Sequence, residues 1–296
     1  MNRIQDFINF HNKSCIADTI VEQLKEYCNL MNYNDKNRET VVLLYSLTYS
    51  IPSTIIIMNK MQDLLNNPNK FWEENKQKLI FQSDRKYVKI NNAFIKSFLE
   101  FDKNIFLKLK GKNNIDVKKT VEEIEKNYFF SRFSAFLFLE TYCCMFNKET
   151  YNNHLDWQNG ATVTSGMFNV LGYDNYADLW DKEHKIKIDI DYFDKVANEL
   201  LKRVQNGKNL FVLETNLCAY RKLFKGTRYL GYYTDRILEE LYKTIKNYPE
   251  HKSELNYLFL SREYTIPKKY LGEKNNWIGI RKELKKYYLK NGVWEW

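Results

Sequence analysis

Residues 128–146 read YFFSRFSAFLFLETYCCMF, a run that is apolar on nearly every face of a helix and holds only Arg132 and Glu140 as ionisable groups. A helix that is hydrophobic all round belongs inside a core. The run therefore predicts a central buried helix over Tyr128–Phe146 and a mainly α fold. The remaining sequence agrees. The 296 residues include only 10 Gly and 4 Pro, too few for the frequent turns of an all-β fold. Hydrophobic residues make up 44% of the chain, with 22 Tyr and 19 Phe, enough for one large core or two modest ones.

The same run is the longest candidate for a membrane span, which needs about 18 apolar residues, and its two charges argue against one. The N-terminus lacks the basic and apolar blocks of a signal peptide. The five cysteines (15, 28, 143, 144 and 218) are odd in number and form no C-x-x-C pair. They read as reduced thiols in a cytoplasmic compartment, with no zinc or iron–sulfur site. No cofactor is expected; a divalent metal is left open.

Working outward, residues 1–66 read as helices. Apolar residues recur at helical spacing from Ile4 to Phe10 and from Ile16 to Tyr27. The run 41–49 (VVLLYSLTY) is apolar on most faces, Pro52 interrupts the stretch after it, and Ser53 is a candidate N-cap for a helix over 55–65. Another apolar helix falls at 94–101. Residues 109–116 (LKGKNNID) are the best candidate linker. They would divide an N-terminal helical region, 1–110, from a C-terminal helical region, 117–296, unless the chain is a single domain. Residues 151–180 are small and polar with interleaved aromatics, a composition suited to a loop or short helices lining a site. Amphipathic helices return at 191–205, 210–241 and 266–288.

The formal net charge is +9, and its placement is uneven. Residues 201–296 hold 20 Lys+Arg against 10 Asp+Glu, leaving 26 against 27 for the rest. A one-sided basic surface suits a polyanion, most often nucleic acid. The competing explanation is codon bias in an AT-rich genome, which inflates Lys and Asn.

Several constellations are candidates for chemistry. Arg132 and Glu140 sit about two turns apart on the apolar run, so each needs a partner elsewhere. They read either as separate buried ion pairs or as a phosphate ligand and a site carboxylate. Glu214, Cys218 and Arg221 share one helix face. A glycine-bounded turn comes next, with Lys225, Arg228, Tyr229, Tyr232, Tyr233, Asp235 and Arg236. Backbone N–H groups and cations there suit a phosphate, and the tyrosines suit stacked bases. The stretch Asp84-Arg85-Lys86-Tyr87-Val88-Lys89 is charged, and a solvated surface is its plainer reading. The basic stretch 281–290 reads likewise as a DNA-backbone contact or a solvated face. No Walker A motif, G-x-G-x-x-G or H-E-x-x-H is present, and the four histidines are scattered.

Five segments together resemble a phage family, the amino acid:DNA transferases, also described as α-glutamyl/putrescinyl-thymine pyrophosphorylases. They are SDRKYVKINNAF (83–94), FSRFSAFLFLE (130–140), WQNGATVTSGMFNVLGYD (157–174), LETNLCAYRKLFKGTRYLGYYTDR (213–236) and IPKKYLGEKNNWIGIRKE (266–283). The resemblance implies an all-α fold distantly similar to helix-hairpin-helix DNA glycosylases, acting in host cytoplasm on DNA. It implies replacement of the phosphate leaving group on a (pyro)phosphorylated 5-hydroxymethyluracil by the amine of an amino acid or polyamine. On that reading Arg85, Arg132 and Arg228 are ligands for the leaving group. Asp235, Glu140 or Glu214 takes the amine proton. Trp157, Tyr229 and Tyr232 hold the extruded base, with Asp84, Lys89, Ser165, Arg221 and Arg236 as further substrate or DNA contacts. The sequence lacks a hairpin L-P-G-x-G and a four-cysteine cluster, which counts against glycosidic-bond cleavage. A glycosylase-like base-excision enzyme and a non-catalytic nucleic-acid-binding protein are the alternatives.

Overall fold

The computed structural model describes residues 3–13, 19–82, 85–151, 155, 157, 161–173, 189–204, 210–224 and 232–260. These residues are mainly helical and fall into two compact units. In chain order the first helices are α1 (Arg3–Lys13), α2 (Thr19–Leu30), α3 (Asp35–Thr48), α4 (Ile51–Asn59), α5 (Met61–Asn66) and α6 (Pro68–Asn75). Short helices α7 (Lys86–Ile90), α8 (Phe94–Leu99), α9 (Asn104–Lys110) and α10 (Val117–Ile124) lead to α11 (Arg132–Phe146). Then come α12 (Ala161–Val170), α13 (Ile190–Arg203), α14 (Leu210–Phe224), α15 (Tyr232–Asn247) and α16 (Lys252–Leu260). Among the described residues no helix is long and apolar enough to cross a membrane.

One unit is built from 20–151 and 236–262. Its centre is α3 against α11 and α4. Every residue of α3 from Val41 to Thr48 is buried, in keeping with a run that is apolar on most faces. The helix ends because Tyr49 turns left-handed at φ 51° and caps Tyr45. Ser50, rather than Ser53, is the next N-cap, and Pro52 lies in the first turn of α4 instead of interrupting it. Proline's missing N–H costs nothing there.

The expected central helix begins at Arg132, later than the start of the hydrophobic run at Tyr128. Ser131 caps it through a reciprocal capping box with Ser134. The preceding residues form a turn in which Phe129 has φ 61°. Phe130 alone of the aromatic triplet goes inside, against Phe101 at 5.2 Å. Phe101 and Phe106 in turn each lie 5.2 Å from Phe138 of α11. Residues 109–116, a linker on the sequence reading, lie within this unit. Their last three form strand β1 (Asn114–Asp116), parallel to β2 (Glu149–Tyr151) with Ile115 opposite Thr150.

The other unit draws its described residues from 1–19 and 152–235. Here α12 packs on α14, and α1 touches both. Gly166 makes the α12–α14 approach possible: a Cβ built on it would stand 2.1 Å from the Leu217 carbonyl oxygen. Gly166 thus serves a tight helix seam, and 161–170 is a short helix, the second of the two forms expected for this stretch. Trp157 is fully buried and donates to Asp194 Oδ1 at 2.6 Å. The rings of Phe7 and Phe10 on α1 pack on Tyr220 of α14.

Candidate functional site

The site residues anticipated from sequence divide by position. Asp84, Lys225, Arg228 and Tyr229 lie outside the described residues, as does 281–290. So do the side chains of Tyr232, Tyr233, Asp235 and Arg236, whose backbone begins α15.

Arg132, at the first position of α11, pairs with Glu125 at 3.1 Å. This is the ion-pair alternative for that residue. Arg85 is buried and spans two chain segments: its Nη2 donates to Ser131 Oγ at 3.0 Å and its Nη1 to the Phe129 carbonyl at 3.5 Å. The guanidinium thereby ties the start of α7 to the cap of α11, bringing 83–94 and 130–140 together. Glu140 is half-buried on α11. Burial pushes the nearby Cys143 thiol up, and the charges of Cys144 and Glu140 add to that rise.

On α14, Glu214 and Cys218 meet one turn apart. Cys218 Sγ donates to Glu214 Oε1 at 3.3 Å and Thr215 Oγ1 to Glu214 Oε2 at 3.4 Å. Arg221 is half-buried one turn on. Ser165 is buried in α12 beside Thr164, whose hydroxyl donates to the Trp157 carbonyl at 2.6 Å. Asn216 bonds His11 across the α1–α14 contact at 2.9 Å. Burial lowers the His11 pKa to about 4, because an imidazolium there loses its hydration.

A concavity among the described residues lies in the first unit described, and sequence reasoning finds only its edge. It is a cleft of about 570 Å³ between the 77–82 segment, α7 and the last turns of α15. Lys78, Lys86, Lys89, Lys243 and Lys246 line it, against Glu239 and Glu240. Leu79, Ile80, Phe81 and Ile90 give it an apolar share.

Local bonds explain why the chain opens here. Ile80 N donates to Ser53 Oγ at 2.8 Å and Gln82 N to the Thr48 carbonyl at 2.9 Å, holding this segment against the core. Asn247 Nδ2 donates to the Lys78 carbonyl at 3.0 Å and Tyr248 OH to Asn75 Oδ1 at 3.0 Å, which fastens the end of α15 to the same wall. Lys89 reaches across to donate to the Leu79 carbonyl at 3.0 Å. Burial holds its ammonium below the ordinary lysine range.

Of the described residues singled out for binding, only Lys89 lines this cleft. Lys86 is visible in the Asp84–Lys89 run, and Lys243 and Lys246 stand one turn apart on an amphipathic helix. No local pattern links those two stretches, which lie on either side of α11 to α14 in the chain. The lysines outnumber the two glutamates, and an excess of one sign in a concavity focuses the field and concentrates anions. A cavity of a few hundred Å³ is the size that takes a small organic group, and a nucleotide is one. Among the described residues no three His, Cys, Asp or Glu side chains gather to hold a metal.

Compared with models of protein families, with curated proteins and with solved structures, the chain finds no match.

Proposed function

We propose that the protein is a DNA-modifying transferase that replaces the phosphate or pyrophosphate on an activated 5-hydroxymethyluracil in DNA with an amine. The observation that carries the DNA half of this reading is the cleft lined by five lysines, two glutamates and four apolar side chains. Phosphates of a strand answer the lysines, and a nucleobase answers the apolar side chains. The chemical half rests on the five segments that resemble the transferase family. The amine nitrogen forms a bond to the 5-methylene carbon, the carbon–oxygen bond to the leaving group breaks, and a carboxylate takes the proton.

Of the carboxylates offered for that role, Glu140 belongs to the same unit as the cleft. For the leaving group, Lys86, Lys243 and Lys246 are better placed than Arg85 and Arg132, whose guanidiniums already serve Ser131 and Glu125. The test is mass spectrometry of nucleosides from DNA containing phosphorylated 5-hydroxymethyluracil, incubated with the protein and a mixture of amino acids and polyamines. A nucleoside carrying a new C–N bond at the 5-methylene supports the proposal. Unchanged nucleosides overturn it, and abasic sites in their place identify base excision instead.

A further inference from the structure

Five non-glycine residues among those described have positive φ: Asn32, Tyr49, Asn92, Phe129 and Asn147. Asparagine tolerates the left-handed region; bulky side chains are outliers there. The two exceptions, Tyr49 and Phe129, both belong to the surroundings of the first turn of α11. Phe129 at φ 61° is 36% exposed, so it is not a core side chain.

The turn is nonetheless held from several sides. Asp102 N donates to Asn127 Oδ1 at 2.8 Å, Asn127 Nδ2 to the Ile124 carbonyl at 2.9 Å, and Phe130 N to the Asn127 carbonyl at 3.1 Å. Arg85 grips the Phe129 carbonyl and the Ser131 hydroxyl. The outcome is a pair of outward rings, Tyr128 and Phe129, 5.5 Å apart. Tyr128 is 41% exposed and the Lys96 ammonium lies 4.2 Å from its ring centre, with Glu100 3.9 Å from the same ammonium. Phe133, in the first turn of α11 and 42% exposed, stands edge-on to Tyr49 at 5.5 Å. Strain maintained by an over-determined frame points to function at the strained residue.

We infer that Tyr128, Phe129 and Phe133, with Lys96, form a stacking surface for unpaired bases of a nucleic-acid strand. Exposed aromatic rings, one with an ammonium over its face, match what a single strand offers, which is bases with π-faces and a phosphate alongside. A duplex hides those faces, so the surface selects unpaired or extruded nucleotides. The inference rests on the nucleic-acid reading of the lysine cleft.

The experiment uses full-length protein and measures fluorescence anisotropy with a labelled oligothymidylate and a labelled duplex of equal length. The variants are Phe129→Gly and Tyr128→Ala/Phe133→Ala. Glycine is at ease at φ 61°, so Phe129→Gly is expected to raise the melting temperature while weakening single-strand binding about five-fold or more. Duplex affinity is expected to stay within two-fold. The double variant is expected to show the same selective loss. A Phe129→Gly protein that binds the single strand as wild type does overturns the inference, as does one that melts earlier. If the wild type binds neither oligonucleotide, the nucleic-acid reading itself fails and the inference with it.

Discussion

Replacing Gly166 by alanine tests how tightly α12 and α14 are joined. The added methyl would sit 2.1 Å from the Leu217 oxygen and 2.6 Å from its carbonyl carbon. Both obstacles are backbone, so no rotamer change relieves them. Reaching ordinary contact at 3.4 Å requires the helices to part by more than an ångström. The parting would disturb Val163, Met167, Leu213 and Leu217, all buried along this pair. Overpacking of a well-filled core costs about 1–3 kcal/mol, and a backbone obstacle belongs at the upper end. Alanine's better helix propensity returns about 1 kcal/mol. The expected net loss is about 2 kcal/mol, read by urea unfolding followed by far-UV circular dichroism. Gly111→Ala is the control: nothing lies within 4 Å of its added methyl, so it should equal wild type or gain up to about 1 kcal/mol by constraining the unfolded chain. A Gly166→Ala protein as stable as wild type would refute the close-approach argument.

Two further outcomes come from the charges. His11 titrates near 6.5 when unfolded and at about 4 when folded. The unfolded chain therefore binds more protons between those values, so stability is full above pH 6.5 and declines as pH falls toward 4, by about 3 kcal/mol in all. Urea unfolding at about pH 7 and about pH 4.5 should show the decline in wild type and a smaller one in His11→Gln; equal declines would contradict it. Lys243→Glu/Lys246→Glu changes two exposed side chains of the cleft. It should weaken DNA binding at least ten-fold, with a salt dependence shallower by about 1–2 in the slope of log affinity on log salt. An unchanged slope would place the phosphates elsewhere.

The fold class is legible in the sequence because it depends on averages: few Gly and Pro, and long apolar runs at 41–49 and 128–146. Boundaries are less so. The triplet 128–130 is as apolar as the helix it precedes, and the break at Ser131 comes from a cap and a left-handed Phe129 that hydropathy does not register. Pro52 is ambiguous because a proline in a first turn and one that ends a helix look alike in sequence. The segment 161–170 has the composition of a site lining, since Gly, Ser and Thr suit both loops and close helix seams; which applies depends on α14, a helix distant in the chain. The Glu214–Cys218 contact is legible, being one helical turn. The lysine cleft is not, because its walls come from two stretches, 77–90 and 239–247, that lie far apart in the chain and meet through Asn247, Tyr248 and the 77–82 segment.

The most direct test of the central claim is lysine acylation in the presence and absence of DNA, mapped by peptide mass spectrometry. The account predicts that DNA protects Lys78, Lys86, Lys243 and Lys246 at the cleft while Lys70 and Lys202, well exposed elsewhere, react as before. Equal reactivity of the cleft lysines with and without DNA, under conditions where DNA is bound, would contradict it.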